Sequence, residues 1–283
     1  MNLGNYLSQR ERYDEAKAEY ESAIRLSPGQ GRYHMILGDL LASQNGNDEA
    51  KFEYKKAESI YRQQIKEHPK EPGYHFDLGG ALYSLGREAD SRLEFETAAA
   101  LSDESPSYYV ILANFYYGRK DYANSVLYYQ KVVDLRPDNA EYRGYLGRAL
   151  YAMEEFEDAK SEHRRAHELD PEEAVHLNDL GDCYFRLQQY SLAEHSYRQA
   201  IGINPENGHY HDGLALALYK QTRYEEALPE NRKAVELEPT VSTYWQGLAD
   251  SLTAVGKREE ARAANVKAED LRKSAPANSF KCR

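Results

Sequence analysis

The stretch 146–171, LGRALYAMEEFEDAKSEHRRAHELDP, returns 34 residues later as LGDCYFRLQQYSLAEHSYRQAIGINP at 180–205. The two stretches align without a gap, and each begins with a Leu-Gly pair and ends with a proline. Because Gly in a helix costs about 0.5–1 kcal/mol relative to Ala, a Gly at a fixed register indicates that two backbones approach closely there. Each stretch therefore predicts two packed antiparallel helices joined by a short turn.

The same pattern runs along nearly the whole chain of 283 residues. A Leu-Gly or Leu-Ala pair opens each of eight copies, and positions are numbered here from its second member, which is Gly4, Gly38, Gly79, Ala113, Gly147, Gly181, Ala215 or Ala249. Ala or Ser follows at +12, and a large residue follows at +16 as Tyr20, Tyr54, Phe95, Tyr129 and Tyr197, with His163, Asn231 and Asn265 as departures. A proline closes five of the copies, and it sets a turn because it cannot continue a helix.

At these positions the chain resembles the tetratricopeptide repeat family, whose members pair a Leu-Gly in one helix with spaced Ala, aromatic, Ala and Pro residues in the next. The resemblance implies an all-α, right-handed solenoid superhelix over 1–273. One hairpin cannot bury its apolar face alone, so stacked copies form the core and leave a concave inner face. The predicted repeats are approximately 1–29, 30–70, 71–104, 105–138, 139–172, 173–206, 207–240 and 241–273.

Three places depart from the regular pattern. The first repeat starts only three residues before Gly4, so its first helix lacks an opening turn. The second repeat is seven residues too long, since Gly38 and Gly79 are 41 residues apart, and this predicts a long second helix near 48–67. Residues 274–283 contain Pro276 and are too few for a capping helix, so they are predicted to form a flexible tail.

The predicted inner face carries an aromatic series. Position +4 of the first helices is aromatic in five consecutive repeats, as Tyr83, Tyr117, Tyr151, Phe185 and Tyr219. Helical spacing directs this position toward the groove, where rigid rings would anchor a partner segment. The same rings could instead pack between neighbouring first helices and support the core. The sequence leaves both interpretations open.

The polar residues of the predicted groove suggest two kinds of ligand. Asn114 and Arg148 are the part of a carboxylate clamp that this chain shows, because family members that clamp a peptide carboxylate add a Lys at these positions and none is present here. Asp182 and Asp212, together with Asp250, make the second half of the groove acidic. An acidic groove favours a partner segment that carries Lys or Arg.

Charge and motifs exclude several classes of function. The chain carries 47 Asp and Glu against 36 Lys and Arg, and a net charge of −11 would repel a nucleic-acid backbone. No nucleophile elbow, phosphate loop or HExxH motif is present, so neither an enzyme nor a cofactor is predicted. His163 and His167 have metal-compatible spacing on one predicted helix, but a solvated helix face is the preferred interpretation. Cys183 is predicted to be a small buried filler.

The sequence therefore predicts a protein-interaction scaffold that binds a protein or peptide segment in its concave groove. The alternative is a subunit that stacks head-to-tail with other copies of itself into a filament or tube. No run of 18 apolar residues and no basic, apolar start is found, so neither a transmembrane helix nor a signal peptide is expected. Cytoplasmic and extracellular compartments both stay open.

Overall fold

The computed structural model describes residues 2–102 and 105–274, and these residues form sixteen α-helices and no β-strand. The helices are α1 (Asn2–Gln9), α2 (Tyr13–Leu26), α3 (Gly31–Ser43), α4 (Asn47–Glu67), α5 (Pro72–Ser84), α6 (Glu88–Leu101), α7 (Pro106–Gly118), α8 (Tyr122–Leu135), α9 (Ala140–Ala152), α10 (Phe156–Leu169), α11 (Ala174–Arg186), α12 (Tyr190–Ile203), α13 (Gly208–Lys220), α14 (Tyr224–Leu237), α15 (Ser242–Ala254) and α16 (Arg258–Ser274). They are paired in tandem as about eight repeats. The predicted all-helical repeat fold is thus confirmed.

The helices are grouped into two compact units, and the boundary between the units lies between Gly118 and Arg119. Unit 1 contains α1 to α7, and unit 2 contains α8 to α16. The boundary falls within the predicted repeat 105–138, between its two helices. The two units are described separately below.

Small residues bring the two helices of a hairpin together. In the hairpin of α11 and α12, a Cβ added to Gly181 would lie only 2.7 Å from Cε1 of Tyr197, so the glycine leaves the space that the ring fills. Tyr197 is 2% exposed, and Ala193 and Ala200 on the same helix are fully buried. The same arrangement recurs at Gly38 against Tyr54 and explains why the +16 residue is large where the first helix has Gly.

The turn inside each hairpin places one residue in the left-handed region of backbone space. This residue is always at position +7, and it is Glu11, Asn45, Gly86, Lys120, Glu154, Gln188, Thr222 or Gly256, with φ between 60° and 81°. A non-glycine residue pays a steric cost in this region. In unit 2 the next residue donates its N–H back to the carbonyl at +3, as Glu155 does to Leu150 at 3.0 Å, which is the hydrogen bond of a Schellman cap, so the turn does not depend on glycine alone.

Polar contacts connect consecutive hairpins where the closing prolines lie. In unit 2, Nε2 of His211 donates to the carbonyl of Pro205 at 3.0 Å, while its Nδ1 lies 2.7 Å from Oε2 of Glu230. His75 joins Pro69 and Glu94 in the same way in unit 1. These contacts tie the turn before a repeat to both helices of that repeat.

The irregular parts of the sequence also have a defined structure. Helix α4 has 21 residues, whereas the other second helices from α2 to α14 have 14, and α1 has eight residues against 13 in the other first helices. Ser274 is the last residue of α16. The remainder of the predicted tail, 275–283, lies outside the described residues.

Candidate functional site

The first helices of unit 2 share an accessible stripe that we call the first-helix face. On α13, the only residues that keep accessible surface are His209, Asp212, Leu216, Tyr219 and Lys220, and the rest of that helix is buried. Helix α11 contacts both α9 and α13, and α13 contacts α15, so equivalent stripes lie side by side. The face consists of positions −6, −3, +1 and +4 of these helices: Glu141, Gly144, Arg148 and Tyr151; Val175, Asn178, Asp182 and Phe185; His209, Asp212, Leu216 and Tyr219; Thr243, Gln246, Asp250 and Thr253. Gly144 and Asn178 are buried, and the other residues of the face keep accessible surface.

The aromatic residues at the +4 position of unit 2 are half-buried because each of them packs on a ring of its own hairpin. The ring centroids are 5.2 Å apart for Tyr151 and Phe156, 5.4 Å for Phe185 and Tyr190, and 4.9 Å for Tyr219 and Tyr224. All three pairs are edge-to-face, the geometry that aromatic quadrupoles prefer. The rings therefore support the hairpins and also present an edge to the first-helix face.

In unit 1, the predicted site residues are more exposed. Tyr83 on α5 is 51% exposed, and its ring lies 5.9 Å from that of Phe115 on α7. Tyr117 is 38% exposed, and Asn114 is also exposed, both on α7. The +4 aromatics are therefore accessible at two positions in unit 1 and half-buried at three positions in unit 2.

Two carboxylates of α11, one in the first-helix face and one beside it, accept hydrogen bonds from neighbouring helices. Asp182 accepts a hydrogen bond from the hydroxyl of Tyr197 at 2.6 Å, and Asp179 accepts one from Nε of Arg148 at 2.8 Å. Between them lies Asn178, which is 3% exposed and whose Oδ1 is buried without a hydrogen-bond partner in the described structure. Arg148 is thus engaged by a carboxylate of α11, which differs from the clamp geometry considered from the sequence.

Burial raises the pKa of Asp182 to about 6, and the negative charges of Asp179 and Asp212 act in the same direction. The hydrogen bond from Tyr197 and the nearby His209 oppose this shift. Like charges that share a poorly solvated site disfavour ionisation of either one. The face therefore holds a carboxylate whose charge costs free energy at neutral pH.

We expect Asp182→Asn to raise the free energy of unfolding at pH 8 by about 1–3 kcal/mol, because one pKa unit corresponds to about 1.4 kcal/mol and the amide needs no ionisation. The smaller values are expected, since Asp182 keeps part of its surface exposed. A raised carboxyl pKa means that stability is lost as the pH rises through about 6, so the gain should shrink at pH 5. Urea unfolding at both pH values measures this, and an equal gain at both would contradict it.

In unit 1, Tyr hydroxyls bond the residue at position +1 in the same way. Tyr54 donates to Asp39 at 2.9 Å, and Tyr20 donates to Asn5 at 2.8 Å. Each pair joins position +16 to position +1 of the same repeat. Burial also raises the pKa of Asp39, which the Tyr54 hydrogen bond partly offsets. The residue at +1 is therefore anchored to the core wherever this pair forms.

A pocket of about 390 Å³ opens beside Arg148, between α9 and the turn that leads into α11. Carboxylates from two elements surround it, namely Glu141 on α9 and Asp170 and Glu173 in the turn. Gly144 and His176 also line it, and a Cβ on Gly144 would lie 2.9 Å from Cε1 of His176. Sequence reasoning missed this pocket, although two departures from the repeat pattern indicate it. Position −5 is Tyr in six repeats and is His176 in the sixth repeat, and position −3 is Gly144 in the fifth repeat but a larger residue in the others.

The expectation that His163 lies on a solvated helix face is wrong. His163 is 1% exposed, because position +16 faces the core, and its ring fills the space left by Gly147. Its Nδ1 has no hydrogen-bond partner. Within residues 2–102 and 105–274, no group of three or more His, Cys, Asp or Glu side chains is placed to hold a metal ion. Cys183 is fully buried, as expected.

The paired helices and their repeated register define a helical repeat protein. A sequence model described as tetratricopeptide repeat matches residues 1–51, 53–109, 146–208 and 178–242, and a second model with the same description matches 106–139. The chain therefore belongs to the tetratricopeptide repeat family. Such proteins are typically non-enzymatic.

Solved structures of other repeat proteins share the fold. MamA residues 41 to the end from Desulfovibrio magneticus RS-1 is 19% identical, with a TM-score of 0.55 over 61% of this chain and 97% of that one. A crystal structure of MamA is 20% identical, with a TM-score of 0.53 over 63% of this chain and 97% of that one. YrrB, described as a TPR protein with an unusual peptide-binding site, is 20% identical, with a TM-score of 0.50 over 64% of this chain and 93% of that one. No curated protein sequence matches the chain. None of the described helices combines the length and the hydropathy needed to cross a bilayer.

Proposed function

We propose that this protein is a non-enzymatic interaction scaffold and that the first-helix face of unit 2 binds a basic segment of a partner protein. The observation that carries the proposal is the cluster of carboxylates on α11 and α13, in which Asp182 is held in a poorly solvated position near Asp179 and Asp212; burial is the main cause of its raised pKa, and the two neighbouring charges add to it. A cation placed there would relieve the repulsion between these charges. The carboxylates would also attract a basic partner segment as it approaches and would fix its register along the face.

The same face offers apolar contact beside the charges. Leu216 is 41% exposed at position +1 of α13, one turn from Asp212 and from Tyr219. A partner side chain that covers Leu216 would bury apolar surface, which is worth about 25 cal/mol per Å². The likeness to YrrB, described as having an unusual peptide-binding site, supports peptide binding as a function that this fold can carry.

We expect Leu216→Arg to weaken binding of a basic segment at least about tenfold, because it removes the apolar contact and adds a positive charge beside Asp212. The segment would come from a random peptide-display selection against the whole chain, and affinity would be measured by fluorescence anisotropy. Leu192→Arg is the matched control, since Leu192 on α12 is 48% exposed and lies on a second helix.

Two outcomes would count against the proposal. Selected peptides could lack enrichment in Lys and Arg, which would remove the role of the carboxylates. Peptides could also bind the Leu216→Arg and Leu192→Arg variants equally well, which would place the binding surface elsewhere.

Head-to-tail stacking stays the alternative prediction from the sequence. It differs from the proposal in one measurable quantity, because stacked copies gain mass as the concentration rises. Light scattering across a concentration series separates the two, and a constant monomer mass would exclude stacking.

A further inference from the structure

The pocket beside Arg148 contains an unusual polar atom. His176 is 5% exposed, and its Nδ1 is buried without a hydrogen-bond partner. The ring is directed at Gly144, since a Cβ on Gly144 would lie 3.3 Å from Nδ1. Both residues line the pocket. Buried polar atoms are almost always paired in proteins, so an unpaired one at a pocket indicates a missing partner.

The charges around the pocket indicate whether the missing partner is a cation or an anion. Glu141, Asp170 and Glu173 approach from two elements, and the one guanidinium in the lining, that of Arg148, is already bound by Asp179. An anion would meet three carboxylates without a compensating charge. A cation would be attracted by all three.

The shape of the pocket and the chemistry of the imidazole narrow the ligand further. Burial lowers the pKa of His176, so the ring is neutral near pH 7 and one of its nitrogens accepts a hydrogen bond. A volume of about 390 Å³ lies in the range of small-ligand sites. A planar guanidinium can donate to carboxylates from two directions at once, which a lysine ammonium does less well.

We propose that the pocket lined by Glu141, Glu173 and His176 holds an arginine side chain of the bound partner segment. This inference rests on the proposed function and adds a specific anchor to it. The guanidinium donates to the Glu141 and Glu173 carboxylates, and the unpaired imidazole nitrogen of His176 accepts its remaining hydrogen bond.

The test uses a matched pair of small probes on the whole chain. Nα-acetyl-L-arginine amide and Nα-acetyl-L-citrulline amide have nearly the same shape, but only the first is charged. NMR follows the Cε1–H resonance of His176, assigned with His176→Gln. We expect a saturable shift with the arginine probe and at least about tenfold weaker binding of the citrulline probe. No saturable shift, or equal binding of both probes, would overturn the proposal without any pocket variant.

Variants then locate the contact. Glu141→Gln combined with Glu173→Gln should abolish the shift, because the amides keep their size and lose their charge. Glu172→Gln is the control, since Glu172 is exposed, adjacent in sequence and not part of the pocket lining. If Glu172→Gln weakens binding as much as the double variant, the effect is one of general charge and the proposed pocket is wrong.

The two proposals fail in different ways. If selected peptides lose binding with Leu216→Arg but not with the Glu141→Gln and Glu173→Gln pair, the face binds partners and the arginine pocket is refuted. If the arginine probe binds the pocket while selected peptides ignore Leu216→Arg, the pocket stands and the part of the first-helix face around Leu216 is refuted as a binding surface.

Discussion

Replacing Tyr197 by alanine should lower the free energy of unfolding of unit 2 by about 3–5 kcal/mol, the range for losing a buried aromatic ring. The ring is 2% exposed and fills the space between two glycines, since a Cβ on either Gly181 or Gly213 would lie 2.7 Å from its Cε1. Gly181 belongs to the same repeat and Gly213 to the next one. The substitution therefore removes contacts inside a hairpin and between hairpins at once.

Tyr197→Phe distinguishes the contribution of the ring to stability from that of its hydroxyl. The phenylalanine keeps the packing but deprives Asp182 of its 2.6 Å donor, so we expect a smaller loss of about 1–2 kcal/mol. Urea unfolding followed by circular dichroism measures both variants. A loss below about 1 kcal/mol for Tyr197→Ala would show that the ring does not connect the two repeats.

The second large expected effect is a loss of folding stability at acid pH that His163 causes. Burial lowers the pKa of His163 to about 4, with Arg148 and His176 acting in the same direction and Asp179 opposing them. A depressed histidine pKa means that the native state needs the neutral ring. The stability that His163 contributes is present above pH 6.5 and is lost as the pH falls from 6.5 toward 4. The full loss is about 3 kcal/mol.

His163→Phe should remove this loss, because phenylalanine cannot be protonated. The substitution suits the fold, since Phe95 occupies the same register against Gly79. We expect the stability of the variant relative to the natural chain to rise by about 3 kcal/mol between pH 7.5 and pH 4. Thermal or urea unfolding across this range measures the difference. A difference that does not change with pH would mean that His163 can be protonated inside the fold.

The sequence was sufficient to predict the fold because its register is redundant. Eight copies of the same Gly or Ala position indicate a closely packed point between two helices, and at Gly38, Gly147 and Gly181 the structure shows that the partner is a ring of the second helix and not its backbone. The register also placed Asp182 and Asp212 on helices whose accessible stripes now form the first-helix face. Whether these residues bind a partner stays a prediction.

Other features depend on pairings that one helix cannot reveal. The bond between Arg148 and Asp179 joins residues 31 positions apart, and Asp179 lies at −2, outside the positions expected to line the groove. His163 was misplaced because a histidine at +16 was interpreted by its own polarity, although Gly147 opposite it creates a buried space. His176 was missed because the sequence signal for it consists of two departures in different repeats, His176 itself at −5 in one repeat and Gly144 at −3 in the repeat before it.

The bond between the +16 tyrosine and the +1 residue has a consequence for redesign. Tyr20, Tyr54 and Tyr197 meet Asn5, Asp39 and Asp182, whereas repeats with Gly80, Arg148 or Leu216 at +1 carry Phe95, His163 or Asn231 instead. A new recognition residue grafted at +1 would strand a buried hydroxyl unless the opposite side chain changed with it. A change of binding specificity at +1 would therefore require a paired substitution, one at +1 on the first helix and one at the buried +16 position on the second helix.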